Sequence, residues 1–232
     1  MLQCGGSIIS SYWVVSAAHC VELMENSQVE VKYINIISNN KEWRKGRKHK
    51  IAKMIMNKYY NKHILSNDSS LIKVIEPFTL KNEVPIAVAA SDYEYIVNIT
   101  ATVIGWGHNE TDSKVIQNTL FAVDVVIFSQ TYCTKLYGLG AVTSDMFCAG
   151  AYEGGKDACQ FDSGGPIVKN NILIGIISWG GDCGNKTQPG VYGKLSYFIR
   201  WFKEVEKEEN TKIGYEVKSA GGTYRKSKTK FL

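Results

Sequence analysis

Gly155-Lys156-Asp157-Ala158-Cys159-Gln160-Phe161-Asp162-Ser163-Gly164-Gly165-Pro166 is the stretch around which the chain is organised. It sets one serine between an acid and two glycines, a few residues after a cysteine. Glycines let backbone N–H groups turn into a cavity that a side chain would otherwise fill. Such N–H groups can stabilise an oxyanion beside an attacking hydroxyl. A serine hydroxyl is a weak nucleophile without a base. The other residues are therefore searched for a base and for a group that orients it.

The chain has 4 histidines: His19, His49, His63 and His108. The last three sit in polar, loop-like surroundings and read as surface residues. His19 ends the apolar run Trp13-Val14-Val15-Ser16-Ala17-Ala18 and precedes Cys20. On residue types alone, a buried structural histidine fits there as well as a catalytic one. Composition does not choose among the aspartates. Asp68, in Asn67-Asp68-Ser69-Ser70-Leu71, precedes an apolar run, where an aspartate capping a turn is the alternative reading.

The serine stretch and Trp13–Cys20 resemble the active-site segments of trypsin- and chymotrypsin-like serine proteases. Residues 67–71 resemble that family's Asn-Asp-Ile-Ala-Leu, differing at Ser69 and Ser70. The order His19, Asp68, Ser163 is the chymotrypsin order. A G-x-S-x-G nucleophile elbow does not fit, because Phe161 holds its first position. The resemblance implies that Ser163 attacks a carbonyl, His19 shuttles the proton and Asp68 fixes the imidazole tautomer. It implies an oxyanion hole from the backbone N–H groups of Phe161 and Ser163. Asp157 matches the acid at the base of the trypsin pocket and would pair with a substrate Lys or Arg; a solvated loop acid is the alternative. The pocket walls resemble Ser178-Trp179-Gly180 and Gly190-Val191-Tyr192. Asp182 stands where the pocket rim usually has glycine, and would either attract a cation or obstruct entry. Within the family the chain looks nearest to arthropod digestive trypsins, including mite group 3 allergen-like proteases.

Two departures bear on activity. The family has glycine where this chain has Phe161, and a bulky residue forced to positive φ costs roughly 1–2 kcal/mol. The expectation is a peptide flipped away from the oxyanion and a weakened or silent protease. Family members also mature by cleavage before a segment like Ile-Val-Gly-Gly, whose new amino group pairs with the acid before the serine, here Asp162. This sequence shows neither that segment, nor the family's first strand, nor a signal peptide at Met1-Leu2-Gln3-Cys4. An incomplete gene model is expected, with a protein that never activates as the alternative. Asp162 without its partner would favour a closed, zymogen-like loop.

At 232 residues, with 44% hydrophobic and 21% charged content, the chain is one large globular domain or two small ones. No run approaches the roughly 20 apolar residues that span a bilayer, so no membrane partner is expected. Six cysteines suggest disulfides and an oxidising, extracellular compartment. Their spacing does not suit zinc. The family pairing would join Cys4 to Cys20, Cys133 to Cys148 and Cys159 to Cys183. No cofactor and no metal are expected; the segment that binds calcium in many trypsins keeps only Glu42 here, too few oxygen ligands. The net charge of +5 equals the five cations Lys218, Arg225, Lys226, Lys228 and Lys230 of residues 217–232, which hold no acid. That tail reads as a solvated disordered end rather than a nucleic-acid arm. Sequons occur at Asn67, Asn98, Asn109 and Asn185, and Asn109 is the best glycan candidate.

Periodicity gives short strands at residues 29–33, 71–75, 101–107, 121–128, 166–168, 172–179 and 190–195, with a basic surface loop over 38–50. Phe198, Trp201, Phe202 and Val205 fall at helical spacing, with Ser196 as N-cap. The resulting expectation is an all-β protein of two antiparallel six-stranded-type β-barrels, the first incomplete, with a C-terminal α-helix. Its parts would be a barrel over 1–80, a connecting segment over 81–98, a barrel over 99–195, a helix over 196–209 and a basic tail over 210–232. The expected function is a secreted, monomeric trypsin-like endopeptidase acting on protein or peptide substrates with Lys or Arg, and open to protein protease inhibitors. The rival is a binding protein on a protease scaffold.

Overall fold

The computed structural model describes residues 4–108 and 117–219. The Asn109 sequon and the tail beyond Ser219 lie outside the described residues. The elements in chain order are β1 (Ser7–Ile8), β2 (Trp13–Ser16), α1 (Ala18–Asn26), β3 (Asn35–Ser38), β4 (Arg47–Met56), β5 (Ser70–Val74) and β6 (Ala87–Ala89). There follow β7 (Thr100–Gly105), β8 (Phe121–Ile127), α2 (Gln130–Tyr137), β9 (Met146–Gly150), β10 (Pro166–Lys169), β11 (Ile172–Trp179), β12 (Gly190–Lys194), α3 (Leu195–Glu208) and β13 (Val217–Lys218).

Two sheets result. The first is an open, curled sheet of order β1-β2-β5-β4-β3. The second runs β10-β7-β8-β9-β12-β11, and the pairing of β10 with β11 closes these six strands into a barrel. The chain therefore has the expected two-barrel architecture, one closed and one incomplete. All pairings within these two sets are antiparallel; β6 joins β11 in parallel, and β13 joins β6 in parallel.

Every residue of β2 is buried, because each face of that strand meets a different core. Val14 packs with Ile51, Ile72, Val74 and Phe78 inside the open sheet. Trp13 and Val15, pointing the other way, join Leu71 and a larger core that includes Val103, Ile167, Ile176, Tyr192, Phe198 and Phe202. That core joins the two sheets and seats α3, whose Leu195, Phe198, Ile199, Trp201, Phe202 and Val205 are all buried. Their spacing makes one apolar stripe on a helix.

Several local expectations are corrected. Residues 29–33 are exposed or half-buried and hold a short 3-10 turn over Val31–Tyr33 instead of a strand. The last four residues of the expected basic loop, 47–50, open β4, and His49 there is buried against Phe78. Helix α3 starts at Leu195 with Lys194 as its N-cap and no side-chain cap, so Ser196 lies inside it. The first part of the expected disordered tail is packed: Ile213 is buried, and Val88 N–H donates to Glu216 O at 2.8 Å.

Candidate active site

The register Ser16↔Ser70 puts the end of β2 beside the start of β5. His19, three residues past Ser16, and Asp68, two residues before Ser70, therefore face each other. His19 opens α1, whose N-cap Ala17 offers no side-chain acceptor. Asp68 supplies one from outside the helix: its Oδ1 accepts the His19 backbone N–H at 2.9 Å. Its Oδ2 lies 2.7 Å from His19 Nδ1. Ser178 Oγ, from β11, donates to the same Oδ2. Asp68 is buried, with three donors on two oxygens. Asn67 and Leu65 both have positive φ, 54° and 52°. The turn that presents Asp68 is braced by Asp145, whose carboxylate accepts from Asn67 N–H at 2.6 Å and Ser66 Oγ at 3.2 Å.

Ser163 lies in the turn before β10. Gly5 N–H donates to Ser163 O at 2.7 Å, and Gly164 N–H donates to Ile177 O at 2.8 Å, so the serine backbone is tied to both sheets. Among the described residues, no hydrogen bond joins Ser163 Oγ to the His19 ring; His19 Nε2 lies 3.6 Å from Cys20 Sγ. The sulfurs of Cys4 and Cys20 are bonded to each other and offer His19 no thiolate partner for a metal. The other disulfides are Cys133–Cys148 and Cys159–Cys183.

Phe161 keeps its backbone at φ 74°, a conformation that favours glycine. Asp162, next in the chain, is buried, and its carboxylate takes Gly107 N–H at 2.7 Å and Cys159 N–H at 3.1 Å. Burial pushes the Asp162 carboxyl upward, against those two N–H groups and the charge of His108. The close approach needs glycine: a Cβ on Gly105 would stand 1.8 Å from Asp162 Oδ1.

Asp157 is half-buried and accepts its neighbour's Ala158 N–H at 2.8 Å and the Gly184 N–H at 3.4 Å. Burial pushes its carboxyl up to about 7, with the N–H groups of Ala158, Gly184 and Gly190 opposing. A Cβ on Gly190 would stand 2.5 Å from Asp157 Oδ1, so glycine leaves the acid its room. A Cβ on Gly180 would sit 3.4 Å from Gly190 Cα, so the two expected pocket walls run close together. Asp157 lines instead a cavity of about 250 Å³ shared with Asp162, Gly105, Gly107 and His108. Trp179 packs edge-on against Tyr137 at 4.9 Å, and Asp182 is exposed. Tyr192 OH, buried without a hydrogen-bond partner among the described residues and 2.9 Å from where a Gly190 Cβ would stand, belongs to the surroundings of Asp157. Its place in Gly190-Val191-Tyr192 marked the wall but not the hydroxyl.

The structure thus gathers His19, Asp68 and Ser178 into one hydrogen-bonded unit and sets Asp157 and Asp162 around one cavity. The family model described as Trypsin matches residues 1–202. This chain belongs to the trypsin family. Trypsin-3 of Salmo salar is 42% identical over 209 residues, covering 87% of this chain and 82% of that protein. Anionic trypsin of Canis lupus familiaris is 38% identical over 207 residues, covering 87% and 79%. Among solved structures, neuropsin, a serine protease expressed in the limbic system of mouse brain, superposes with a TM-score of 0.77 at 32% identity, covering 87% of this chain and 88% of that one. The relatives named here are vertebrate proteins, and none of them supports the narrower likeness to arthropod trypsins. No helix among the described residues of this trypsin-family chain is long and apolar enough to cross a membrane.

Proposed function

We propose that this trypsin-family chain is a secreted serine endopeptidase that cleaves protein or peptide substrates after Lys or Arg, with its rate held down at Phe161. The observation that supports it best is the Asp68 carboxylate, which holds His19 at both its backbone and its ring while Ser178 donates to the same oxygen as the ring. A carboxylate so placed fixes Nδ1–H on the imidazole and leaves Nε2 free to take a proton. Ser163 Oγ then attacks the scissile carbonyl, its proton passes to His19 Nε2, and the N–H groups of Phe161 and Ser163 receive the oxyanion. The imidazolium protonates the leaving amine, and water hydrolyses the acyl-enzyme by the same route in reverse. Asp157 would pair with the substrate cation between the walls at Gly180 and Gly190. Protein protease inhibitors would occupy the same cleft, and the working unit is a monomer.

The rival reading, a binder that does not cut, is favoured by one observation: the His19 ring and Ser163 Oγ are not hydrogen-bonded. Labelling with a fluorophosphonate, followed by intact mass and peptide mapping, separates the two. An enzyme gains one adduct at Ser163, loses it in Ser163→Ala, and hydrolyses an arginine ester. A folded protein that takes no adduct and turns over no ester leaves the binder.

A further inference from the structure

We infer that His108 is a positioning residue for the oxyanion loop, the seat that holds Phe161 at its left-handed backbone conformation. The inference rests on the proposed roles of Phe161 and Ser163. Three contacts carry it. His108 N–H donates to Gln160 O at 3.1 Å, one residue before Phe161. Gly107 N–H donates to Asp162 Oδ1 at 2.7 Å, one residue after it. Between these two clamps the Phe161 ring packs against the His108 ring, with centroids 5.2 Å apart and planes tilted by 55°. The segment just after β7 therefore grips the loop on both sides of Phe161 and stacks on the side chain between.

Two further observations give the ring this purpose. Phe161 sits at φ 74°, where a side chain is strained and something outside the residue must over-determine its conformation. Among the described residues, His108 Nε2 is buried with no hydrogen-bond partner. A ring that forgoes a hydrogen bond is placed by packing, and its ring contact is Phe161. Offset and tilted aromatic pairs are attractive beyond the area they bury. A glycine at position 161 would adopt the same φ without help. In this chain the aromatic pair supplies part of what a glycine would supply alone, and the rate left to a protein with Phe161 depends on that pair.

This makes the two residues dependent on each other, and a double-mutant cycle measures that dependence. His108→Ala should lower kcat on an arginine ester at least about tenfold with KM nearly unchanged, since the lost donor acts on the transition state. The same change made on Phe161→Gly should cost less than about twofold, because glycine needs no seat. His108→Phe, which keeps a ring and removes its nitrogens, should restore most of the rate. Equal losses in both backgrounds, or His108→Phe no better than His108→Ala, would overturn the inference. A second readout does not need turnover: the cycle repeated on the thermal midpoint should show the same coupling. A chain that fails fluorophosphonate labelling yet shows that coupling defeats the enzyme reading alone. One that labels but shows no coupling in either readout defeats this inference alone.

Discussion

Ser178 Oγ and His19 Nδ1 meet on a single oxygen, Oδ2 of the buried Asp68. The hydroxyl therefore fixes the carboxylate from the second barrel while the imidazole is held from the first. Ser178→Ala should lower kcat several-fold with a smaller effect on KM, as Asp68 gains freedom. Asp68→Asn should do far more, since in the serine-protease template that change costs about 10⁴-fold in kcat by imposing the wrong tautomer. Steady-state kinetics on an arginine ester test both, and a Ser178→Ala loss as large as that of Asp68→Asn would contradict the ranking.

Asp157 should give the enzyme an acidic limb of its own. Its carboxyl, raised by burial to about 7, must be ionised to attract a cationic side chain. The kcat/KM for arginine substrates should therefore fall as pH drops through about 7, with the change mostly in KM. The folding sign is opposite. A raised folded pKa means the native state holds the proton more tightly, so ionisation costs stability from the ordinary 3.8 upward until about 7. Asp157→Asn should be the more stable protein in urea at about pH 8, with the difference vanishing near pH 4.

Glu83 should set resistance to acid. Burial raises its carboxyl, but donation from Ser38 Oγ, the Leu80 N–H, His49 and the Thr79 N–H outweighs that and holds it at about 2. Arg47 adds an ion pair at 3.1 Å. The group's folded pKa lies below its ordinary 4.5, so its contribution is full above that value and is lost as pH falls towards about 2. Glu83→Ala strands the buried His49 and leaves Arg47 its ion pair with Glu76 at 3.6 Å, and should cost about 3 kcal/mol. That corresponds to a thermal midpoint lower by roughly 10 °C.

Asp145 should matter to the rate although it lies away from the serine. Its carboxylate satisfies Asn67 N–H and Ser66 Oγ, and Thr143 Oγ1 also donates to it. Asp145→Ala leaves a strained turn without its acceptor, at about 1–3 kcal/mol of stability. The turn carries Asp68, and a shift of about 1 Å there is worth up to 10²-fold in kcat. Asp145→Asn, which keeps one acceptor oxygen, should recover part of both losses.

The Cys133–Cys148 bridge ties α2 to β9 across a separation of 15 residues. Replacing both cysteines by serine should cost about 3 kcal/mol, the chain-entropy value for a loop of that length. Denaturant unfolding measures it, and the arginine-ester rate should change little at low temperature.

The strands of the closed barrel and α3 were legible because their apolar periods are long or strong: residues 172–179 are β11 as expected, and the stripe from Phe198 to Val205 faces the core. Helices α1 and α2 were missed. The first is only nine residues, opens without a side-chain cap and is pinned by Asp68, a contact 49 residues away in sequence. The second has a Ser129 cap, yet its polar sequence Gln130–Tyr137 buries Cys133 alone. His49 looked solvated because its neighbours are Lys48 and Lys50; on a strand those point away, and Glu83 that receives His49 comes from a distant loop. At the site, motif order brought His19 and Asp68 to notice, but not Asp145 or the seat of Phe161. No local pattern encodes either, because both are contacts between segments far apart in the chain.

The strand Val217–Lys218 has a practical consequence for anyone producing this protein. A boundary drawn at residue 202, where the family match ends, or at the end of α3 would strip the cover from Ala87–Ala89. Their N–H and C=O groups would then be open to pairing with another molecule, a familiar route to insoluble material. An expression vector should run at least through Ser219, and an affinity tag belongs beyond that residue on a spacer.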